Sequence, residues 1–258
     1  MFWSQAQQVA TSALLQGDLL PISTKPQLIR ENGIDYFVHL KSANSQMKFA
    51  PKPKGFNPFL PYEQAMFVAN AGVEHVCLLN KFPVLSPHLL ICSNDFIAQT
   101  APLSRADFNA WLLGLDQPQA LGFYNGGKTA GASQPHRHMQ LVITDLPIEQ
   151  LIVNQQLPFV HQLFQYNHQQ PDGNRLYHDY HEAMQKLALY DEDQCRPYNI
   201  LLTNRWMLII PRSRNNVDGV FANGINYSGH FLLAHTQQIE WLQQYGILRF
   251  LTDCGTTR

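Results

Sequence analysis

His136, His138 and Gln140 alternate through the segment Ser133-Gln134-Pro135-His136-Arg137-His138-Met139-Gln140. In an extended strand, successive side chains point to opposite faces, so all three are expected to emerge on one side. A neutral imidazole is a nucleophile near neutral pH, and a carboxamide donates hydrogen bonds without titrating. Three polar groups would then converge on one spot. A His-x-His pair by itself is weak, because 11 histidines in 258 residues produce such pairs by chance. The upstream run Gly122-Phe123-Tyr124-Asn125-Gly126-Gly127-Lys128-Thr129-Ala130-Gly131-Ala132-Ser133 strengthens it. Glycine allows positive φ and close backbone approach, so such a loop can turn several N–H groups onto an anion. A phosphate cradle followed by an imidazole pair is more specific than either part.

This combination resembles the histidine-triad superfamily, and within it the diadenosine tetraphosphate (Ap4A) phosphorylases, also called ATP adenylyltransferases. The likeness rests on Asn125 to Gln140, on Asn80-Lys81-Phe82-Pro83-Val84 with Pro87-His88-Leu89-Leu90-Ile91, on Lys52-Pro53-Lys54 with Asn57-Pro58-Phe59, and on a block from Tyr198 to Trp241. It spans most of the chain from Lys52 onward. Hydrolytic members usually carry a third histidine where this chain has Gln140, so the resemblance favours transfer over hydrolysis. It implies an α+β fold: an antiparallel sheet with flanking helices, elaborated by N- and C-terminal segments. One domain over residues 1–258 is expected, its core at about 50–150, with residues 151–258 completing the nucleotide site.

The implied reaction is phosphorolysis of Ap4A to ATP and ADP, reversible and passing through an adenylyl group on His138. His136 would orient substrate or tune the nucleophile, and Gln140 would donate to a phosphoryl oxygen. Asn125, Ala130, Gly131, Ala132, Ser133 and Gln134 would form the phosphate loop. Lys54 resembles the family's phosphate-binding lysine, with Lys52 or Lys128 as possible helpers, and Asn80 and Lys81 match its strand-end dipeptide near the nucleotide. Gly224 to Phe231 looks like a second nucleotide-contacting segment, with Asn226 and an adenine-stacking Phe231; family members often carry a lysine where His235 stands. Each assignment has an ordinary counterpart. His136 could satisfy a backbone group, Phe231 could be a core residue, the lysines could be solvated, and the loop could be a plain surface turn.

No tightly bound cofactor is expected, and no carboxylate cluster suits a dedicated metal site, so magnesium would arrive on the polyphosphate. Small-molecule partners follow: Ap4A, ATP, ADP and phosphate. Lys+Arg of 18 against Asp+Glu of 19 gives no basic field for nucleic acid. No apolar stretch is long enough to span a membrane and no signal segment opens the chain, so a cytoplasmic setting is expected. Oligomeric state stays open. Three other readings remain: another nucleotidyltransferase of this superfamily, a dinucleoside polyphosphate hydrolase, or a non-catalytic nucleotide binder. Sugar-phosphate nucleotidyltransferases commonly add cysteine-based metal ligands, and Cys77, Cys92, Cys195 and Cys254 lack such spacing.

The elements that must hold these residues are partly legible. Trp3 to about Leu15 reads as an amphipathic helix stopped by Gly17. Tyr36–Leu40 reads as a strand, and the proline-rich run from Ala50 to Pro61 as a rigid loop bordering the site. His75–Asn80 and His88–Cys92 predict adjacent antiparallel strands. Ser104 predicts the N-cap of a helix bearing Phe108, Trp111, Leu112 and Leu115. Leu121–Tyr124 and His138–Thr144 predict strands around the glycine loop. From Pro147 to about Leu189 the pattern is helical, broken near Gln170–Gly173; Tyr198–Thr203 and Trp206–Pro211 predict a hairpin, and Gln237–Tyr245 a final helix.

Overall fold

The computed structural model describes residues 2–42, 53, 55–166 and 170–257. Helix α1 (Phe2–Gln16) presents Trp3, Ala6, Ala10 and Ala13 on its buried face, a spacing of three to four residues, and Gly17 ends it at positive φ. Strands β1 (Thr24–Glu31) and β2 (Ile34–Lys41) form an antiparallel ribbon. Then follow β3 (Phe67–Asn70), β4 (His75–Leu79), β5 (His88–Ser93), helix α2 (Arg105–Leu112), β6 (Ala120–Gly126) and β7 (His138–Ile143). Helix α3 (Glu149–Val153), β8 (Gln162–Gln165) and α4 (Gly173–Lys186) lead to the short pair β9 (Tyr190–Asp191) and β10 (Gln194–Cys195). The chain closes through β11 (Tyr198–Leu202), β12 (Trp206–Pro211), β13 (Asn216–Val217), β14 (Val220–Phe221), β15 (His230–Leu233), α5 (Thr236–Tyr245) and α6 (Ile247–Cys254).

Eight strands make one antiparallel sheet in the order β3-β4-β5-β7-β6-β11-β12-β8. Strand β15 pairs in parallel with β2 to complete a smaller sheet of three. The mixed α and β composition with an antiparallel sheet and flanking helices is the expected architecture. Strict alternation then divides the core. Met139 and Leu141 of β7, with Tyr124, Ile200 and Met207 of neighbouring strands, pack one face against α1, α2 and α4. Val142, Phe123, Leu201 and Leu208 point to the other face, which α3, α5, α6 and the small sheet cover. On that second face, at the β4–β5 end, Val76, Leu78, Leu90 and Cys92 form a separate cluster with Phe59. Between these two apolar covers the sheet face turns polar, and the polar residues there are His88, Asn125, His138 and Gln140.

Two stretches depart from the sequence-based expectation. The helical pattern after Pro147 is interrupted by strand β8, which pairs with β12 at the sheet edge, so only α3 and α4 are helical there. Gln237–Tyr245 is not the final helix, because Gly246 breaks the chain at positive φ and α6 follows. Helix α2 carries the predicted Ser104 cap as a full capping box with Asp107.

Candidate active site

The ladder between β6 and β7 ends at Phe123 opposite Gln140. Beyond that pair the side chain of Gln99 spans the two strands. Its Nε2 donates to the carbonyl oxygens of Asn125 (2.9 Å) and His138 (3.1 Å), and its Oε1 accepts from the His138 N–H at 2.8 Å. One buried carboxamide thus supplies the ladder bonds the strands no longer give each other, fixing the first residue of β7 against the last turn before the glycine loop. From the opposite face Arg137 anchors the same segment. Its guanidinium donates to Asp107 at 2.9 Å and to the carbonyls of Ala101 and Pro102, while His75 lies 2.8 Å from the same carboxylate. Burial opposes charge on Asp107, but the His75 hydrogen bond and the Arg137 charge outweigh it and hold its pKa below the ordinary value.

His138 is 4% exposed, and its Nδ1 lies 2.8 Å from the carbonyl oxygen of His136. A carbonyl only accepts, so Nδ1 carries the proton and Nε2 keeps its lone pair. Burial lowers the pKa of His138 to about 4, which keeps the ring neutral at physiological pH. The neighbouring carboxamide is oriented by an equally directional chain. The Phe82 N–H donates to Asn80 Oδ1 (3.0 Å), which turns Asn80 Nδ2 toward His88 Nδ1 (3.2 Å). His88 Nε2 must then carry the other proton, and it donates to Gln140 Oε1 at 3.0 Å. Gln140 is left with its NH2 group as the free end. Burial, foremost, lowers the His88 pKa to about 4 as well, so the relay is not disrupted by protonation near neutral pH.

The glycine loop is tied down by the C-terminal half of the chain. Asn125 Oδ1 accepts from Asn199 Nδ2 (2.8 Å) and from the Gly224 N–H (2.7 Å), and Asn199 Nδ2 also reaches the Ala130 carbonyl. Arg212 holds Asn199 from behind. Gly131, at φ 96°, packs so closely on Asn223 that an added Cβ would lie 2.4 Å from the Asn223 Cβ. A cavity of about 380 Å³ opens in front of these groups; Phe59, Asn80, His88, Asn125, Gly131, Ser133, Gln134, His138 and Gln140 line it. Its walls are otherwise mostly apolar, from Ile22, Leu78, Val84, Leu85 and Val142.

Residues 1–165 match the family model described as the Ap4A phosphorylase N-terminal domain, and residues 155–257 match that described as the ATP adenylyltransferase C-terminal domain. The chain belongs to the Ap4A phosphorylase family. It is similar to diadenosine 5',5'''-P1,P4-tetraphosphate phosphorylase 2 of Saccharomyces cerevisiae, with 25% identity over 249 residues, 78% of this chain and 77% of that protein. It is also similar to Protein APA1 of the same yeast, 24% identical over 294 residues, covering 95% and 91%. The crystal structure of yeast Ap4A phosphorylase Apa2 shares the fold, with a TM-score of 0.84 at 21% identity over 99% of this chain and 97% of that one. The structure of Apa2 in complex with Ap4A gives a TM-score of 0.83 at 21% identity, covering 99% and 97%.

The family pattern picked out residues that the structure gathers unevenly. Asn80, Lys81, Asn125, Gly131, Ser133, Gln134, His138, Gln140 and Phe231 border the cavity, whereas Ala132 and Asn226 border a second cavity beside it. Ala130 is fully buried and serves through its carbonyl. His136 is outside β7 and its ring leaves the shared face: Nε2 meets the carbonyl and hydroxyl of Ser93, and Nδ1 meets Asn57 at 2.8 Å. Its hydrogen bond with His138 is made by its backbone carbonyl and not by its ring. Phe231 touches the cavity wall but is only 1% exposed and packs between Tyr36 and Phe250, so most of its ring belongs to the core. The Asn226 carboxamide is consumed by the Asn223 N–H and the His230 carbonyl. Lys81 is paired with Glu63. His235 is exposed at the N-cap of α5, outside both cavities, and Lys52 and Lys54 lie outside the described residues. Sequence reasoning gave no role to Gln99, His88 or Phe59; the last packs on His138 with ring centroids 5.2 Å apart. His88 carried a signal, since it opens a strand that the sequence predicts and lies in a segment that carries the family resemblance. Gln99 carried none.

Proposed function

We propose that this chain catalyses phosphorolysis of Ap4A by inorganic phosphate, giving ATP and ADP. The observation that carries this reading is the Nδ1–H bond from His138 to the His136 carbonyl, which leaves Nε2 as a lone pair beside the Gln140 amide and the glycine loop. Nε2 attacks the α-phosphorus of one adenylyl group, the bond to the bridging oxygen breaks, and ATP departs with that electron pair. The His136 carbonyl steadies the positive charge that the ring then carries. Gln140, held by His88, donates from Nε2 to a non-bridging oxygen, and N–H groups of the Gly131–Gln134 loop supply further donors. A phosphate oxygen attacks the same phosphorus from the vacated side and releases ADP, returning the lone pair to Nε2. Neither step needs a protonated histidine.

Magnesium, in this reading, enters bound to the polyphosphate: the cavity wall carries one described carboxylate, Glu63, and Lys81 occupies it. The four cysteines are buried free thiols and no described helix is long and apolar enough to cross a membrane, which fits a reducing compartment such as the cytoplasm.

The test is product analysis with and without phosphate. ADP formed only when phosphate is present supports phosphorolysis, whereas AMP plus ATP formed in its absence marks a hydrolase. His138→Ala should lose turnover by at least about 10⁴-fold, as expected for removal of a covalent nucleophile, while still binding ATP. Net inversion at a chiral phosphorothioate would reject the two-displacement route.

A further inference from the structure

The His136 ring holds a loop. A carbonyl only accepts, so His136 Nε2, 2.8 Å from the Ser93 carbonyl oxygen, carries the proton, and Nδ1 accepts from Asn57 Nδ2 at 2.8 Å. That bond turns Asn57 Oδ1 back along its own chain, where it accepts the Phe59 N–H at 3.0 Å. An isolated antiparallel bridge between Phe59 and Tyr62 closes the turn. The series Ser93, His136, Asn57, Phe59 is directional at every link, and it ends in an apolar ring seated on both histidines. Phe59 meets His136 edge to face with ring centroids 5.7 Å apart, and lies tilted over His138 at 5.2 Å. It borders the cavity yet is only 8% exposed, because it packs with Val76, Leu78, Leu90 and Cys92 of the sheet.

Once AMP is on His138, phosphate and water compete for its phosphorus. Phosphate arrives already negatively charged, whereas water must lose a proton as it attacks. The polar groups around His138 are poorly placed to take that proton. His88 and His136 are bonded at both nitrogens, Gln140 does not titrate, and Glu63 on the cavity wall is paired with Lys81. The proton would have to pass to a second water, and the Phe59 ring occupies space beside the imidazole where that water would stand.

We propose that Phe59, held by the His136–Asn57 latch, reserves the adenylyl-histidine for phosphate by keeping water from it. In the excluded reaction a water oxygen bonds to phosphorus, the P–Nε2 bond breaks with its electron pair returning to Nε2, the proton leaves through a second water, and AMP is released. The inference rests on the covalent, phosphorolytic reading of His138 and adds what decides between its two acceptors. His136 is then a positioning residue that acts through Phe59.

The test follows the adduct itself. Enzyme mixed with Ap4A labelled at the α-phosphates, without phosphate, yields ATP and labelled protein; after rapid removal of nucleotide, decay of the label is timed in phosphate-free buffer. In Phe59→Ala that lifetime should shorten by at least about tenfold, a barrier lowered by about 1.4 kcal/mol, with AMP as the product. Phe59→Leu, still bulky and apolar, should stay near the wild type. Asn57→Ala, at a half-buried loop position outside the apolar cluster, should shorten the lifetime as well, and it carries the test if Phe59→Ala does not fold. A role in packing alone would slow adduct formation and leave the phosphate-free lifetime unchanged. That result in Phe59→Ala, or in Asn57→Ala where Phe59→Ala does not fold, overturns the proposal and leaves the phosphorolytic reading standing. A wild type that forms no labelled adduct overturns the covalent reading itself, and this inference with it.

Discussion

A histidine that must stay unprotonated to attack phosphorus is best kept away from water, and His138 is almost wholly buried. Burial lowers the pKa of His138 and of His88 to about 4 each. Two consequences of opposite practical sign follow. Formation of the adenylyl adduct should be flat from neutral pH down to about 5 and fall only as pH approaches 4, which a pre-steady-state pH series would check. Stability behaves otherwise, since both rings are neutral in the native state while the unfolded chain takes up protons below the ordinary value of 6.5. Their contribution is complete above that value and is lost as pH falls toward 4, on the order of 3 kcal/mol for each ring. Denaturant midpoints that did not fall between pH 7 and 4.5 would contradict this. His88 also has a directional task. His88→Phe keeps a ring of similar shape but leaves Gln140 Oε1 without its donor, so the carboxamide can turn its oxygen toward the phosphoryl group. We expect kcat to drop by roughly tenfold to hundredfold, below the 10²–10³ cost of deleting an oxyanion donor, with KM for Ap4A little changed. At this scale the sequence revealed chemistry where a local motif carried it. His138 and Gln140 alternate toward one cavity as strand periodicity requires. His136 shares the spacing but precedes the strand, and Phe231 shares the segment but faces the core, because alternation cannot say where a strand begins or what covers a face.

Elements position these groups by substituting for one another. Where β6 and β7 part to open the cavity, Gln99 replaces their ladder, and its three hydrogen bonds tie the His138 backbone to Asn125. Gln99→Met preserves length and volume but removes every one of those bonds. The sheet on either side is intact, so the melting temperature should move by only a few degrees, while kcat should fall by about tenfold to hundredfold as the His138 ring loses its register. Equal loss in Gln99→Met and Gln99→Glu of stability and activity together, with KM rising in step, would mean that Gln99 only supports packing. Asp107 works on the other face. Removing its charge leaves the buried Arg137 guanidinium with carbonyl partners only and no counter-charge, a loss of about 3–5 kcal/mol. Helix α1, the Ser104 cap, the β4–β5 pair and the β11–β12 hairpin were readable because caps, turns and periodicity are local signals. Strand β1 was not, as most of its residues are exposed and it contains Pro26. Nor was β8, a four-residue edge strand whose existence depends on β12, more than forty residues away in the chain.

The whole molecule is knit across its midpoint. Strands from the N-terminal part of the chain (β3 to β7) and from the C-terminal part (β11, β12) share one sheet, joined where β6 pairs with β11. The small sheet repeats the arrangement, with β2 from near the N-terminus beside β15 from near the C-terminus. Both main core clusters draw on both halves as well: Trp111 and Met139 pack with Tyr180 and Ile200 on one face, and Phe123 and Tyr36 pack with Tyr227 and Phe250 on the other. Two family models meet near residue 160, but a cut there divides a core and opens the edges of two sheets. A fragment of residues 1–170 would expose β6 and β2 as unpaired edges, strand β8 would have no neighbour, and much of each sheet face would lose its apolar cover. Residues 171–258 would keep the β11–β12 hairpin, which is too small to hold a core alone. We expect neither fragment to show a cooperative thermal transition by itself, and co-expression to restore both a single transition and nucleotide binding. Cooperative melting of residues 1–170 alone would mean that the first five strands of the large sheet, with α1 and α2, are self-sufficient, and that the glycine loop can be held without Asn199, Arg212 and Gly224 behind it.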